Sequence, residues 1–351
     1  MKNDNEIEAW PEPVNGSMLL DELKRIVERY CILPECASEI ISLWVFHTWA
    51  IESADHSPIL ALVSPEKRCG KTTTFNVINA MVRNPVSAAN ASPAAVYRVI
   101  EQRQPTLMID EADTFLEASE ELRGILNAGN SRQGAFVMRC GGPRFDQVEH
   151  FKVWCPKCIA MIGRLPDTLE DRSISIQLRR KTKEEGIERF NSRTGDALEP
   201  FRQKLARWSQ DLDPDLLNDD PEMPDELNDR AQDNCRHLVS IADNLGNHWP
   251  QTVRTALVEL HATRSDDGPG VMLLRDIKDV FADVAAAQIP SSMLVGKLWE
   301  HSPEWSEYKG RHITAKGVSS LLKPFGIKAH RNRTGSIYLK SDFEDAWKRY
   351  V

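Results

Sequence analysis

An α/β fold built on a parallel sheet is predicted by three observations. Strand-like and helix-like stretches alternate from residue 58 to residue 128. The first strand runs into Gly70-Lys71-Thr72, which opens a helix. A later apolar strand, Thr106 to Ile109, ends in Asp110-Glu111. Strands that alternate with helices in this way form a parallel sheet with crossover helices.

The elements follow in order. Residues 1–16 are expected as a flexible leader, and residues 17–57 as N-terminal helices spanning Met18–Tyr30 and Glu35–Ser53. The second helix is rich in large apolar residues, so His47 is expected as a core or helix-face residue. The core, residues 58–181, carries strands at 58–63, 86–90, 106–110, 159–163 and 173–178, with helices at 71–83, 92–103 and 118–128. Within it, residues 134–154 hold two strand-like runs around Gly141-Gly142-Pro143-Arg144, the signal of an inserted β-hairpin. Residues 182–265 are expected as a helical lid, helical over 182–210 and interrupted by an acidic, proline-bearing linker at 211–225. Residues 270–351 hold three helices, 272–286, 291–300 and 314–323, then a basic hairpin around Thr334-Gly335 and a short last helix. That order suggests a winged helix.

Two motifs carry chemistry. Ser64 to Thr74 reads SPEKRCGKTTT between a strand and a helix, which is the setting of a phosphate-binding loop. Gly70, Lys71, Thr72 and Thr73 are the nucleotide-binding candidates, because amides at a helix start and its dipole favour anions. Lys71 would reach the β- and γ-phosphates of ATP, and Thr72 would place its hydroxyl on Mg²⁺. Pro65 stands where the pattern has its first glycine. In the second motif, Asp110 would hold the metal with Thr72, and Glu111 would orient and deprotonate the attacking water. The bland alternative for that motif is a buried strand leading to a helix start, where acids are favoured anyway.

Composition narrows the setting. The chain has 351 residues and a net charge of −8, so no overall basic footprint marks nucleic acid. The charge is uneven. Asp211 to Asp229 holds nine acidic residues and no basic one, whereas Lys309 to the end holds ten Lys or Arg against three acids, 10 − 3 = +7. The start lacks a signal-peptide pattern, and no apolar run approaches the ~20 residues of a membrane span. Seven cysteines without framework spacing suit a reducing cytosol, so a cytoplasmic protein with no membrane partner is expected. Cys155-Pro156-Lys157-Cys158 has no second ligand pair at zinc spacing and is expected to mark the entry to strand 159–163.

The segments SPEKRCGKTT, PTLMIDEADTFL, ELRGILNAGN, IGRLPDTLEDRSISIQLRRK, LNDRAQDNCRHLVSIADNLGNHWP and LLKPFGI together resemble the AAA+ class of ring-forming P-loop ATPases. More closely, the chain resembles an ATPase family carried by phages, plasmids and integrated elements, often fused behind primase-like domains. The resemblance covers most of the chain from about residue 30. It implies an α/β, P-loop AAA+-like parallel sheet with N-terminal helices, inserted hairpin, helical lid and winged-helix-like domain. It also implies ATP and Mg²⁺ as cofactors, and a homo-oligomer, possibly a hexamer. With no room for a primase ahead of residue 30, any priming activity is expected in a replication partner.

Further roles follow from the resemblance. Arg172, just before the last strand, matches an arginine finger reaching a neighbour's γ-phosphate; its alternative is a salt bridge with Asp171. Arg230 matches the second-sensor arginine; its alternative is a solvated helix residue. Asn90 matches a polar partner of the catalytic Glu, or else a residue of the turn ahead of Ser92-Pro93. The first sensor, usually Asn or Thr, falls near Gly163 or Arg164 and is not filled. In the hairpin, Arg139, Arg144 and Lys152 are candidate contacts to a DNA backbone; the alternative is packing on a neighbour. In the winged-helix-like domain the candidates are Lys316 and Lys323 on the recognition helix, and Lys328, Arg331 and Arg333 on the wing.

The leading expectation is an ATP-driven DNA helicase, translocase or remodeller in mobile-element DNA replication. Two alternatives stay open: a DNA-bound ATP switch that loads or recruits another protein, and an ATPase in phage defence.

Overall fold

The computed structural model describes residues 7–88, 91–114, 116, 119–141, 147–182, 184–217, 220–262, 269–332 and 335–351. They form two compact units, Met1–Thr263 and Arg264–Val351. In chain order the strands of the first unit are β1 (Ile59–Ser64), β2 (Pro85–Ala88), β3 (Thr106–Ile109), β4 (Phe136–Gly141), β5 (Gln147–Lys152), β6 (Lys157–Ile162) and β7 (Ser173–Gln177). Five of them make one parallel sheet in the order β2-β3-β6-β1-β7, and β4 with β5 forms a separate antiparallel hairpin.

The helices are α1 (Gly16–Tyr30), α2 (Ala37–Trp49), α3 (Lys71–Asn79), α4 (Pro93–Arg103), α5 (Glu120–Ala128), the short α6 (Asp167–Glu170) and α7 (Ser192–Asp196), then α8 (Glu199–Asp211), α9 (Asp229–Leu245) and α10 (Trp249–Ala262). They cover both faces of the sheet, so β1 is buried at every position. Side chains alternate along a strand. Leu60 and Leu62 therefore enter a core shared with α1, α2, α8, α9 and α10, whereas Ile59, Ala61 and Val63 enter a second core with α4 and α5. Helix α2 is apolar nearly all round and is correspondingly enclosed. Its two tryptophans keep their N–H groups satisfied, Trp44 on Pro58 O at 3.0 Å and Trp49 on Met81 O at 2.9 Å.

Two expectations are corrected. Residues 7–15 are not a loose leader: Trp10 N donates to Gln203 O, Arg207 donates to Pro11 O, and Ile7, Ala9 and Val14 pack on the core. Residues 184–191 are not helical, although their composition favours a helix. They are held along the end of α1, with Arg29 and Glu188 paired at 2.7 Å and Tyr30 edge-on to Phe190 at 5.2 Å. Helices α9 and α10 share one core with α1 and α2. The hairpin and the strands fall where the alternation put them, within two residues at the described ends.

The second unit contains α11 (Pro269–Val284), β8 (Gln288–Pro290), α12 (Ser291–His301), α13 (Pro303–Ser306), α14 (Ala315–Leu322), β9 (His330–Asn332), β10 (Gly335–Leu339) and α15 (Glu344–Tyr350). Its antiparallel sheet runs β8-β10-β9. Helix, strand, three helices, a hairpin and a short last helix give the winged-helix arrangement, with α14 as its third long helix. Phe281, Phe343 and Trp347 form the centre of its core, and Trp347 donates its N–H to Leu274 O at 2.8 Å. Among the described residues no helix is long and apolar enough to cross a membrane.

Candidate functional site

The C-terminal ends of β1, β3 and β6 converge on one edge of the sheet, the end at which open α/β sheets place ligands. Gly163 N donates to Ser64 O at 3.0 Å and Leu178 N to Val63 O at 2.8 Å, which fixes the strand ends around β1. The loop after β1 is braced from within and from β7. Ser64 Oγ donates to Glu66 O at 2.8 Å, and Arg180 donates to the Glu66 carboxylate at 2.6 Å and to Lys67 O at 3.3 Å. Gly70 ends the loop at φ +81°. Nothing would crowd a Cβ there, so it is the left-handed backbone that selects glycine. Thr74 N makes the first intrahelical bond, to Gly70 O. The amides of Lys71, Thr72 and Thr73 thus belong to the first turn of α3, where donors lack helical partners and the dipole is positive.

Across from this turn stand three carboxylates. Partial burial lowers the Lys71 pKa, and the charges of Asp113, Asp110 and Glu111 oppose that shift. Lys71 therefore faces an acidic group rather than a fixed ion-pair partner. Asp110 directly follows β3 and accepts a bond from Glu111 N at 2.8 Å. Glu111 is exposed at φ +53°, a left-handed conformation costly for a residue with a side chain, and Thr114 Oγ1 caps its carbonyl at 2.8 Å. Asp113 accepts from Ile162 N at 3.3 Å and so ties this turn to the end of β6. The sequence reading missed Asp113 and Arg180; the acid three residues beyond Asp110 was the available signal for the first. Thr72 is exposed and Asp110 half-buried, and this hydroxyl and carboxylate are hard oxygen donors of the kind Mg²⁺ takes. Gly163 and Arg164 are both exposed at the end of β6. Asn90 lies outside the described residues.

Arg172 and Arg230 are brought together, but not to Lys71. Ile59 N bonds to Arg172 O, so Arg172 sits at the start of β1 and β7, and the loop that leads to Lys71 leaves β1 at Ser64. The length of β1 separates the two, roughly 17 Å at ~3.3 Å per residue. Arg172 Nη1 donates to Thr168 O at 2.7 Å. Arg230, near the N-terminus of α9, pairs with Asp171 at 2.7 Å. Asp171 is thus engaged by Arg230 and not by its neighbour in sequence. Partial burial and the Arg230 charge both lower the Arg172 pKa, and Asp171 partly offsets them.

The hairpin has two unlike faces. Val137 and Phe151 pack inward, with Phe151 against Tyr97 of α4 at 4.5 Å. Arg139 lies on this inner face, its guanidinium 5.1 Å from the Tyr97 ring and 2.8 Å from Glu121. Lys152 instead shares the exposed outer face with Phe136, Met138, Val148 and His150. Arg144 lies outside the described residues. In the winged-helix unit Lys316, Lys323, Lys328 and Arg331 are exposed and, among the described residues, have no carboxylate partner, while Arg333 lies outside them. The Cys155 and Cys158 thiols are buried and their pKa values are raised by that burial. Among the described residues one grouping could hold a metal by proximity, Asp276, Asp279 and His301, and it belongs to the winged-helix unit.

A family model described as "Protein of unknown function (DUF3631)" matches residues 177–350. The "Uncharacterized 28.9 kDa protein in xis 5′ region" of Saccharopolyspora erythraea is 32% identical over 185 residues, which is 49% of this chain and 68% of that protein. Among solved structures, the apo C-terminal region of NrS-1 is 11% identical with a TM-score of 0.47, covering 95% of this chain and 77% of that one. The SCCmec type IV Cch protein, described as an active helicase, is 15% identical with a TM-score of 0.40, covering 96% of this chain and 69% of that one. A full-length MCM homolog from Methanopyrus kandleri is 11% identical with a TM-score of 0.43, covering 72% of this chain and 61% of that one.

Proposed function

The chain belongs to the family of the Saccharopolyspora erythraea xis 5′-region protein, and we propose that it is a Mg²⁺-dependent ATPase that acts on DNA as a homo-oligomer. The observation that carries this reading is Lys71, in the first turn of α3 and facing Asp110, Glu111 and Asp113. A lysine with free donors at a helix N-terminus binds the β- and γ-phosphates of ATP. Thr72 and Asp110 would hold Mg²⁺, which neutralises phosphate charge when bound. Glu111, exposed and unpaired with Lys71, takes the proton of the attacking water. The strained backbone at Glu111 supports that assignment, since such strain gathers at working residues.

Arg172 and Arg230 stand too far along β1 to serve their own subunit's phosphates. We assign them to the γ-phosphate on a second copy, which makes oligomerisation part of catalysis. DNA contact is assigned to the exposed cations of the winged-helix unit and to Lys152, with Arg139 bracing the hairpin from within. Helicase or remodelling work in mobile-element replication, a hexamer and a primase partner are carried by the motif resemblance. The DNA-bound switch is the second reading, favoured by the unfilled first-sensor position at Gly163-Arg164.

The test is ATP hydrolysis against Mg²⁺ concentration for the wild type and Lys71→Ala. The wild type should turn over only with Mg²⁺, and the variant should lose nucleotide affinity. Equal turnover by both proteins would refute the site. On DNA, Lys316→Ala or Arg331→Ala should each flatten the log–log salt dependence of binding by about one unit if the residue touches duplex phosphate. Unwinding of a forked duplex would favour the motor; ATP-dependent binding without unwinding would favour the switch.

A further inference from the structure

Two buried amides join three elements that the proposed function uses. Asn130 and Asn234 are only 9% and 4% exposed, and they bond to each other, Asn130 Nδ2 to Asn234 Oδ1 at 3.2 Å. Asn234 Nδ2 then donates to Asp171 O at 2.9 Å. It lies one helical turn beyond Arg230, which holds the Asp171 carboxylate. Helix α9 therefore grips Asp171 at two points, its main chain and its side chain. The other end of the link is the hairpin root. Asn130 exchanges bonds with Ser57, its amide to Ser57 O at 3.2 Å and its carbonyl from Ser57 N at 2.9 Å. Two residues on, Arg132 donates to Ile51 O and Glu52 O. Val153 N bonds to Ala135 O and closes the root. A parallel tie runs beside it, from Asn127 Nδ2 to Thr168 Oγ1 at 3.2 Å, and Thr168 O receives Arg172 Nη1.

Filling this place with leucine would avoid desolvating two amides. The amides instead fix bond directions, because a carboxamide that loses its partner in a buried site is expensive. A merely apolar contact would let the Asp171-Arg172 turn slide against α9.

We propose that Asn234 and Asn130 are positioning residues: they set the Asp171-Arg172 turn from the hairpin root, so that strain on the hairpin reaches the arginines offered to a second copy. The proposal rests on the assignment of Arg172 to a neighbour's ATP. DNA that engages the hairpin moves Asn130, Asn130 turns Asn234, and Asn234 carries the Asp171 main chain with it. Neither asparagine touches nucleotide, so their loss lowers turnover and leaves nucleotide affinity alone.

The experiment uses full-length proteins singly and in equimolar mixtures, with ATP hydrolysis measured with and without single-stranded DNA. Asn234→Ala should keep its KM for ATP within about twofold, lose about tenfold in kcat, and lose DNA stimulation. Mixing it with Lys71→Ala should restore hydrolysis, because the Lys71→Ala subunit supplies an intact arginine turn to an intact phosphate loop. Arg172→Ala mixed with Lys71→Ala is the control for the underlying reading. If that control recovers activity and folded Asn234→Ala keeps wild-type kcat and stimulation, the positioning role is wrong and the trans arginine stands. If the control recovers but the Asn234→Ala mixture does not, the loss is general damage and the role is again wrong. A control that never recovers overturns the trans arginine, and this proposal with it. Should Asn234→Ala not fold, Asn130→Ala, which leaves every contact to Asp171 in place, faces the same three outcomes.

Discussion

Lys71 and Lys157 stand at opposite ends of the same sheet, and burial lowers the pKa of both. Their surroundings differ. Lys157 is fully enclosed, and its Nζ donates to Gly129 O and Cys155 O at 2.7 Å each, stapling the two ends of the hairpin insertion. Lys71 is half-buried and faces three carboxylates with no fixed partner. A shifted lysine is therefore not in itself a functional one. What separates them is whether the donors are already committed: at the Lys157 end they are, and at the Lys71 end they remain free for a ligand.

The comparison breaks most readily at the committed end. A Cβ on Gly129 would come 2.1 Å from Val153 O and 2.6 Å from Lys157 Nζ, both packed positions. Gly129→Ala should cost more than about 3 kcal/mol in urea unfolding, because main chain and the buried ammonium must both move. A midpoint unchanged from wild type would show that the Lys157 staple is not rigid.

A smaller effect should come from acid. His47 and His237 meet at 2.8 Å through their Nδ1 atoms, with Ser57 and Ser53 on their Nε2 atoms. Burial lowers both pKa values, His237 to about 4, with the Lys157 charge acting on His47 and the Arg132 charge on His237. In the unfolded chain these imidazoles protonate near 6.5, so below that pH the unfolded state binds more protons. Stability should be complete above about pH 6.5 and fall toward pH 4, by up to about 1.4 kcal/mol per unit for each histidine. His237→Gln should reduce that slope and leave the His47 share in urea titrations at pH 7 and pH 5; a slope equal to that of the wild type would place the acid sensitivity elsewhere.

The smallest effect has the opposite sign. Gly124 lies inside α5 with open space around it. Gly124→Ala should raise stability by about 0.5–1 kcal/mol through helix propensity alone. Measured beside Gly129→Ala, it shows that one glycine near α5 is dispensable and the other is fixed by its neighbours.

Much of the local structure at the Lys71 end of the sheet was legible in the sequence, because its signals are local. The apolar runs of β1 and β3, Gly70 before a helix, and the Asp110-Glu111 strand end lie within short windows. The far end was not legible, because its partners are distant in the chain. Asn130 and Asn234 are 104 residues apart, and His47 and His237 are 190 apart. Lys157 was masked by its place between two cysteines, which drew attention to thiols that prove to be core residues. Residues 184–191 had helical composition, yet Arg29 and Tyr30 hold them otherwise, so tertiary contact overrode propensity. Arg139 looked like a free cation because its partners, Tyr97 and Glu121, come from other elements.

The central claim is that the open end of the sheet hydrolyses ATP through Glu111. Nucleotide binding and turnover measured on one preparation of Glu111→Gln test it most directly. The amide keeps the size of the side chain but cannot take the proton of water. ATP affinity should stay within about twofold of wild type, and turnover should fall by about 10²–10⁴. Turnover at the wild-type rate with unchanged affinity would contradict the assignment of Glu111 and of the site built around it.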